Sequence, residues 1–419
     1  MKKRPLYKII AAALLIVNSV SILSAQIRKD PRSLGMGGAY TTIARDFFAV
    51  GVNPANLALV RSYIAMQFVQ VNLGISNSSL NLTEYNKFNG ADLEKDNKKE
   101  ELLLLIPDEG LTFYFDSSVQ PVLGNISWNN MAVTTDIYTV GDLTVPKAPF
   151  EIMFYGNEIG RDYSLEAGGE FLAAAEIGFS NGGVYKNYLL GYTVRIIRGF
   201  RYFGVISSEA NLLTDSSKIA GEGEYLARYS TGGWGLSADI GLLKIEMAGW
   251  HFGMAINNLF STIRWSDNNE LITYFYKVDD LNLNRVAKKG YSALVEADNV
   301  REPEEDFSVG LPLILRFGAS KSLTNLLLAI DYQQGFSDRI YASKVGKFAI
   351  GIEYYGESRM PVRIGIAAGG REGKELGVGF GMRLMNFQFD FGYAFRGAFT
   401  PQNSNGFEIS LSIWTALGY

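Results

Sequence analysis

The chain has 419 residues, a net charge of −4, no cysteine, one histidine and 45 glycines, together with 26 Phe, 23 Tyr and 5 Trp. The missing cysteines exclude a disulfide framework, a thiol nucleophile and a thiolate metal site, and an isoelectric point near 5.4 argues against a surface built to grip nucleic-acid phosphates. A mean hydropathy of +0.04 is too apolar for a disordered chain, and after residue 25 no apolar run approaches the roughly 20 residues that a spanning helix needs.

Residues 1–25 order a basic stretch (Lys2, Lys3, Arg4, Lys8), an apolar run from Ile9 to Leu23, and the small pair Ser24-Ala25 before Gln26. This is the layout of a secretory signal peptide cut after Ala25, although Leu23 is large for the −3 position. The mature chain is thus expected outside the cytoplasm, without disulfides to stabilise it. Residues 26–62 follow without strand alternation. They carry Gly35-Met36-Gly37-Gly38-Ala39-Tyr40 and, further on, Asn53-Pro54-Ala55-Asn56-Leu57.

From residue 63 to 419 the apolar residues recur with a period of two. The clearest run is 387–396, where Phe387, Phe389, Phe391, Tyr393 and Phe395 alternate with small or polar residues. In chain order the expected strands cover 63–75, 111–128, 131–140, 173–179, 188–196, 234–240, 250–256, 311–317, 326–332, 348–354, 362–366, 376–384, 387–396 and 407–419. The phase slips near Phe68-Val69, as a bulge would make it, and 198–233 reads either as two long strand extensions or as an extra hairpin. Short connections (129–130, 181–187, 243–249, 322–325, 357–359, 385–386) alternate with longer ones (76–110, 141–170, 198–233, 261–306, 335–345, 369–374, 397–406). All the turns therefore lie at one end and all the loops at the other. With an even strand count, this is the pattern of an all-β fold, a transmembrane antiparallel β-barrel of about fourteen strands. Closure is what permits it, because hydrocarbon tolerates no edge of unpaired backbone groups.

Alternation alone does not say which face is outside. The ionisable residues decide, since Asp136, Glu176, Arg195, Asp239, His251, Arg316, Asp331, Glu353, Arg363, Arg383, Asp390, Arg396 and Glu408 all share the non-apolar face. That face is expected to line the lumen, and fourteen strands enclose more volume than an apolar side-chain core would fill. Their mixed signs suggest mutual neutralisation across a packed interior, where an ion-selective pore would favour a ring of one sign. Gly377, Gly379 and Gly381 share the inward face of one strand and offer a smooth groove for another backbone.

The Gly-x-Gly-Gly-Ala-Tyr segment of residues 35–40, followed by Asn-Pro-Ala-x-Leu at 53–57 ahead of the first strand, resembles the N-terminal region of FadL-type outer-membrane proteins and their PorV-like relatives. The 76–110 loop, with Tyr85 to Gly90 and Ile106 to Gly110, is similar to an uncharacterised family of such barrels. The resemblance implies that Gly35, Gly37, Gly38, Asn53, Pro54 and Ala55 belong to a plug formed by residues 26–62 inside a barrel of residues 63–419 in the bacterial outer membrane. Its groove is expected at Gly377, Gly379 and Gly381. The function implied is a channel for passive uptake of a hydrophobic small molecule, with no cofactor and no enzymatic chemistry. A PorV-like scaffold for a secretion or surface-attachment system is the alternative. The implied partners are outer-membrane lipid and either that hydrophobic ligand or a secretion-system protein, with no nucleic acid. Some such channels release ligand sideways through a strand kink, and the irregular phase of the third strand at Thr134 to Asp136 and Gly141 is the expected place.

Other chemistry is weakly marked. Gly369-Gly370-Arg371-Glu372-Gly373-Lys374-Glu375 has a passing likeness to a phosphate-binding loop, but Glu375 stands where Ser or Thr is required and no helix follows. His251 is the sole imidazole, and a lumen residue explains it better than catalysis does. The acidic runs at 267–270, 279–280 and 302–306 read as solvated loop tips rather than a metal site. The long loops 76–110 and 261–306 are expected to form short amphipathic helices and to act as a lid or receptor surface.

Overall fold

The structure is a computed structural model, and it describes residues 30–93, 97–216, 218–246, 249–281, 295–355 and 360–418. The expected signal peptide, residues 1–25, lies outside the described residues, as do residues 26–29 of the expected plug and the expected turn at 357–359. Among the described residues the chain forms twenty strands, some of them in stretches read from sequence as loops: β1 (Ile64–Asn77), β2 (Leu111–Gln120), β3 (Ile126–Trp128), β4 (Met131–Val145), β5 (Asp162–Ser164), β6 (Gly168–Tyr185), β7 (Tyr188–Thr214), β8 (Ile219–Ser230), β9 (Gly232–Ile245), β10 (Trp250–Asp267), β11 (Glu270–Leu281), β12 (Val295–Pro303), β13 (Phe307–Val309), β14 (Ile314–Ser322), β15 (Leu326–Gly335), β16 (Lys347–Tyr354), β17 (Val362–Gly369), β18 (Lys374–Leu384), β19 (Phe387–Arg396) and β20 (Gly406–Leu417).

Fourteen positions make the wall, with β2 and β3 sharing one of them. Every neighbour is antiparallel, in the order β1, β2/β3, β4, β6, β7, β9, β10, β14, β15, β16, β17, β18, β19, β20. The last strand returns to the first, from Ile64 opposite Leu417 to Ser76 opposite Gly406, with a register slip between Gln67 and Val69. Closure removes both sheet edges. The outward face keeps Ile177, Val194, Trp234, Leu236, Phe317, Ile364 and Leu411 exposed. Such a belt is a liability in water and an asset in lipid.

Beyond the wall, on the long-loop side, β7 runs on to Thr214, returns as β8, and is continued by β11 and β12. Segment 198–233 is thus a pair of long extensions joined as a hairpin. In the described part of 261–306 strand stands where helices are expected from sequence, because residues 270–278 of β11 find ladder partners on both sides; residues 282–294 lie outside the described residues. In 76–110 helices do form, at Leu82–Phe88 and Lys98–Leu105.

Candidate functional site

The lumen has two storeys. The lower one, toward the short turns, is filled by residues 30–62, which form a short helix (Pro31–Gly35) and two 3-10 turns (Asp46–Ala49 and Pro54–Ala58). Local chemistry sets their ends. Asp30 accepts from the amides of Arg32 and Ser33, and Asn53 accepts from Ala55 N at 3.1 Å while its own amide reaches the Leu242 carbonyl. Pro54 occupies the first position of its turn, where a missing N–H costs nothing. Gly37 and Gly38 have φ of +65° and +89°, and Gly35 lies so close to Gly379 that a Cβ would sit 3.1 Å from its Cα.

The wall receives this segment on inward glycines. A Cβ at Gly377 would meet the Leu34 carbonyl, one at Gly379 would lie 3.3 Å from Gly35 Cα, and one at Gly381 would meet Asp390, Pro361 and Arg363 instead of the segment. The same holds around the barrel: Gly392 faces Pro31, Gly365 and Gly351 face Met36, Gly318 faces Thr41, Gly253 faces Thr42, Gly241 faces Asn53 and Gly191 faces Pro54. Sequence reading names Gly377, Gly379 and Gly381 on β18, of which the first two lie against the segment, and does not name the glycines of the other strands. The signal was present, since each lies at an inward position of its own strand, but a lone glycine per strand does not stand out.

Polar anchors complete the seat. Asp331 accepts from the amides of Tyr40 and Thr41 at 2.8 and 2.7 Å. Arg32 grips Glu353 with Nε at 2.8 Å and Nη2 at 2.7 Å, a bidentate pair. Glu353 also accepts from Arg363, which continues to Asp390, and Asp390 accepts from Trp414 Nε1 at 2.8 Å. Phe47 and Phe48 stack edge-on against Trp414, and the Arg45 guanidinium lies over its ring at 5.0 Å.

A second charged layer lies above. Arg396 donates to Asp116 and to Glu408 at 2.7 Å, and Arg371 pairs with Asp116 and Glu372. Arg195 pairs with Asp239, with Glu176 3.9 Å away, and Arg316 donates to Asn257. Asp136 is buried on β4. Two sequence-chosen residues stand apart: Arg383 shares the inward parity of β18 but is exposed at the short-turn rim, and His251 is half-buried at the start of β10, where no hydrogen bond reaches it among the described residues. Arg32, Asp116, Arg371 and Glu372 are partners that sequence reading did not single out. Two of these sit in the glycine-rich turn 369–375, which is a hairpin between β17 and β18. In two of the acidic runs four carboxylates pair with arginine, Glu304 with Arg228, Asp306 with Arg264, Glu270 with Arg301 and Asp267 with Arg198, and the side chains of 279–280 lie outside the described residues.

The upper storey is apolar. Tyr138, Val140, Leu172, Ile197, Tyr202, Ile263 and Trp265 turn inward and pack with Leu311 and Ile314. Outside the wall at the loop rim, the helix Leu82–Phe88 overhangs Phe113, Tyr393, Phe395 and Phe407 and leaves a groove of about 710 Å³.

The wall is interrupted once beside the lower storey. β4 is continuous from Met131 to Val145, so the third strand does not kink; the break is in the second strand, where 121–125 leaves the ladder opposite Thr134 to Asp136. Pro121 lacks the N–H that would continue the pairing. Leu123 N donates to the Gln67 carbonyl, Gln67 N to the Asn125 carbonyl, and the Asn125 side chain joins Gln67, Gln120 and the Thr135 amide. Val122 and Leu123 point outward to the lipid side.

No protein-family model and no curated protein matches the chain. Solved structures do. The toluene transporter TodX of P. putida is similar at TM-score 0.53 and 10% identity, covering 94% of this chain and 99% of its own. The toluene transporter TbuX of Ralstonia pickettii matches at TM-score 0.51 and 16% identity, over 93% of this chain and 99% of its own. The monoaromatic hydrocarbon channel CymD matches at TM-score 0.52 and 12% identity, over 93% and 98%. At these identities the likeness is one of fold, and that fold is the FadL-type outer-membrane barrel of fourteen antiparallel strands with a segment of short helices ahead of the first strand.

Proposed function

We infer that the chain is a passive outer-membrane channel for a hydrophobic small molecule, with residues 30–62 acting as its plug. The observation that carries this reading is the upper storey: a cluster of inward apolar side chains, in a lumen whose lower storey is lined by glycine, polar and charged residues, has no use in conducting ions or water. The groove over Phe113 and Phe395 at the rim supplies an external capture surface. From there an apolar solute would partition inward without energy input. The interruption at 121–125 supplies a sideways exit to the bilayer, next to the plug turn Asp46–Ala49, which contacts β3 and β4. The toluene transporters and the hydrocarbon channel of the same fold point to the same class of solute.

The scaffold reading has one observation in its favour, the packing of the lower storey by a segment held through buried ion pairs. Extraction in mild detergent followed by mass spectrometry separates the two. A channel carries out a bound apolar or aromatic small molecule. Recovery of a stoichiometric protein partner and no such molecule overturns the channel reading.

A further inference from the structure

The loop of residues 336–346, between β15 and β16, does not stay at the rim. Its tip, Ile340-Tyr341-Ala342, is buried inside the barrel and fills the apolar upper storey, packing with Tyr138, Ile197 and Trp265; the space it occupies there is the chamber. Arg371 donates to the Ile340 carbonyl at 2.7 Å, and Arg339 pairs with Glu170. The tip is not relaxed there. Ile340 has φ of +55°, a left-handed conformation that a β-branched residue rarely adopts and that persists only where surrounding contacts impose it.

Tyr341 is the centre of the arrangement, because its hydroxyl oxygen accepts from Asn258 Nδ2 at 2.8 Å. Asn258 lies where the register of β10 on β9 slips, between Ile256 and Phe260, and it too is left-handed, with φ of +56°. Such a bulge re-aims a side chain. The amide has one orientation only: its oxygen accepts from Arg195 Nη2 at 2.9 Å, and a guanidinium can only donate. Its backbone N–H donates to Asp239 Oδ1 at 2.8 Å. The chain from Asp239 through Arg195 to Asn258 therefore presents a fixed N–H donor to the chamber, and what it binds is an oxygen carried on an aromatic ring. Trp265 Nε1 and the Tyr138 hydroxyl are buried in the same cluster without a hydrogen-bond partner among the described residues, an uncommon condition for a protein interior.

We propose that the chamber is a binding site for an aromatic ring bearing one hydroxyl group, and that the 336–346 loop is a displaceable inner lid whose Tyr341 competes for that site. This rests on the channel reading and names the solute more closely. p-Cresol reproduces the Tyr341 side chain and toluene reproduces it without the oxygen, so the pair isolates the bond to Asn258. A site built to hydrogen-bond a hydroxyl rejects the analogue that lacks it.

Ala342→Cys places a thiol on the buried tip of a chain that has none of its own. The full chain in phosphatidylcholine vesicles is labelled with a membrane-impermeant maleimide. p-Cresol is expected to accelerate labelling at least tenfold at a concentration where toluene accelerates it less than twofold. In Tyr341→Phe/Ala342→Cys, which removes only the lid's own hydroxyl, labelling without added solute is expected to rise severalfold. Equal acceleration by both solutes overturns the proposal, as does no acceleration by p-cresol in a barrel whose migration on gels still changes on boiling. A p-cresol response in a preparation that yields only a protein partner keeps the lid and its site while removing the channel reading.

Discussion

The plug seat can be challenged with one methyl group. At Gly351 an added Cβ would lie 2.6 Å from the Met36 carbonyl oxygen, whereas ordinary contact begins near 3.4 Å. Met36 Cε, at 2.8 Å, gives way by rotation, but the carbonyl and Met36 Cβ, at 2.9 Å, are set by the backbone and move only with the segment. Relief therefore requires a shift of about 0.8 Å away from β16. The amides of Tyr40 and Thr41 stand 2.8 and 2.7 Å from Asp331, and the same shift carries them to about 3.5 Å, where a hydrogen bond is effectively lost. Losing two bonds to a charged acceptor, partly recovered by side-chain adjustment, costs about 3 kcal/mol, a factor of about a hundred in the ratio of seated to unseated plug. The assay is thiol labelling of Ser33→Cys, a near-isosteric reporter on the buried helix Pro31–Gly35. When opening is fast relative to labelling, the rate follows the unseated population. Gly351→Ala is expected to raise it about a hundredfold, and Gly183→Ala, where a Cβ meets nothing within 4 Å, is expected to leave it unchanged. A Gly351→Ala rate equal to that of the parent reporter would refute the argument that glycines hold the plug by close backbone approach.

Asp331→Asn keeps an oxygen but loses the charge, so labelling of Ser33→Cys is expected to rise about tenfold, for about 1.4 kcal/mol; no change would show that the amides of Tyr40 and Thr41 do not need an anion. Asn125→Ala strips the wall break of the donor to Gln120 and of the acceptor for the Thr135 amide. It is expected to lower unfolding stability in detergent by about 1–3 kcal/mol and to speed hydrogen exchange at Thr135. An unshifted denaturation midpoint would count against a network that seals the wall. At the lid, Asp338 Oδ1 accepts from Lys344 N at 2.8 Å, and that backbone bond holds its carboxyl below the usual carboxylate range. A carboxyl depressed in the folded state stabilises above its ordinary pKa of about 3.9 and loses that stabilisation as pH falls below it. Exchange at the Lys344 amide, corrected for the intrinsic rate, is thus expected to accelerate as pH falls below about 4. Asp338→Asn, which should flatten the step at Lys344, isolates the contribution.

The wall is legible in the sequence because lipid leaves little choice. A strand with hydrocarbon on one side must alternate, and the inward positions are the only ones where Glu353, Arg363, Asp390 or Glu408 can ionise, so parity alone orients each strand. Loop lengths then fix which end is which. The expectation of a plug comes by a different route, from the resemblance carried by Gly35, Gly37, Gly38 and Asn53-Pro54-Ala55; at these positions two positive φ values and an Asn-capped turn each favour a particular residue.

What the sequence hides is whatever depends on two distant segments meeting. A glycine at 191, 241, 253, 318, 351, 365 or 392 looks like ordinary strand wear until residues 30–62 are placed against it. The break at 121–125 was masked by its own success: Val122 and Leu123 keep the apolar character of a lipid-facing strand, while the irregular phase shows instead on the opposing Thr134 to Asp136, where the ladder to the second strand is interrupted and that to β6 continues. The lid is hidden for a related reason. Ile340-Tyr341-Ala342 in a loop of polar residues reads as a rim, and only the inward bulge at Asn258 and the arginine carried by the 369–375 turn explain why an apolar tip leaves the surface. Local pattern follows from the solvent each face meets, so it reports the wall; the plug seat, the seam and the lid are solvated by other parts of the same chain, and their signals become readable only when those parts are in place.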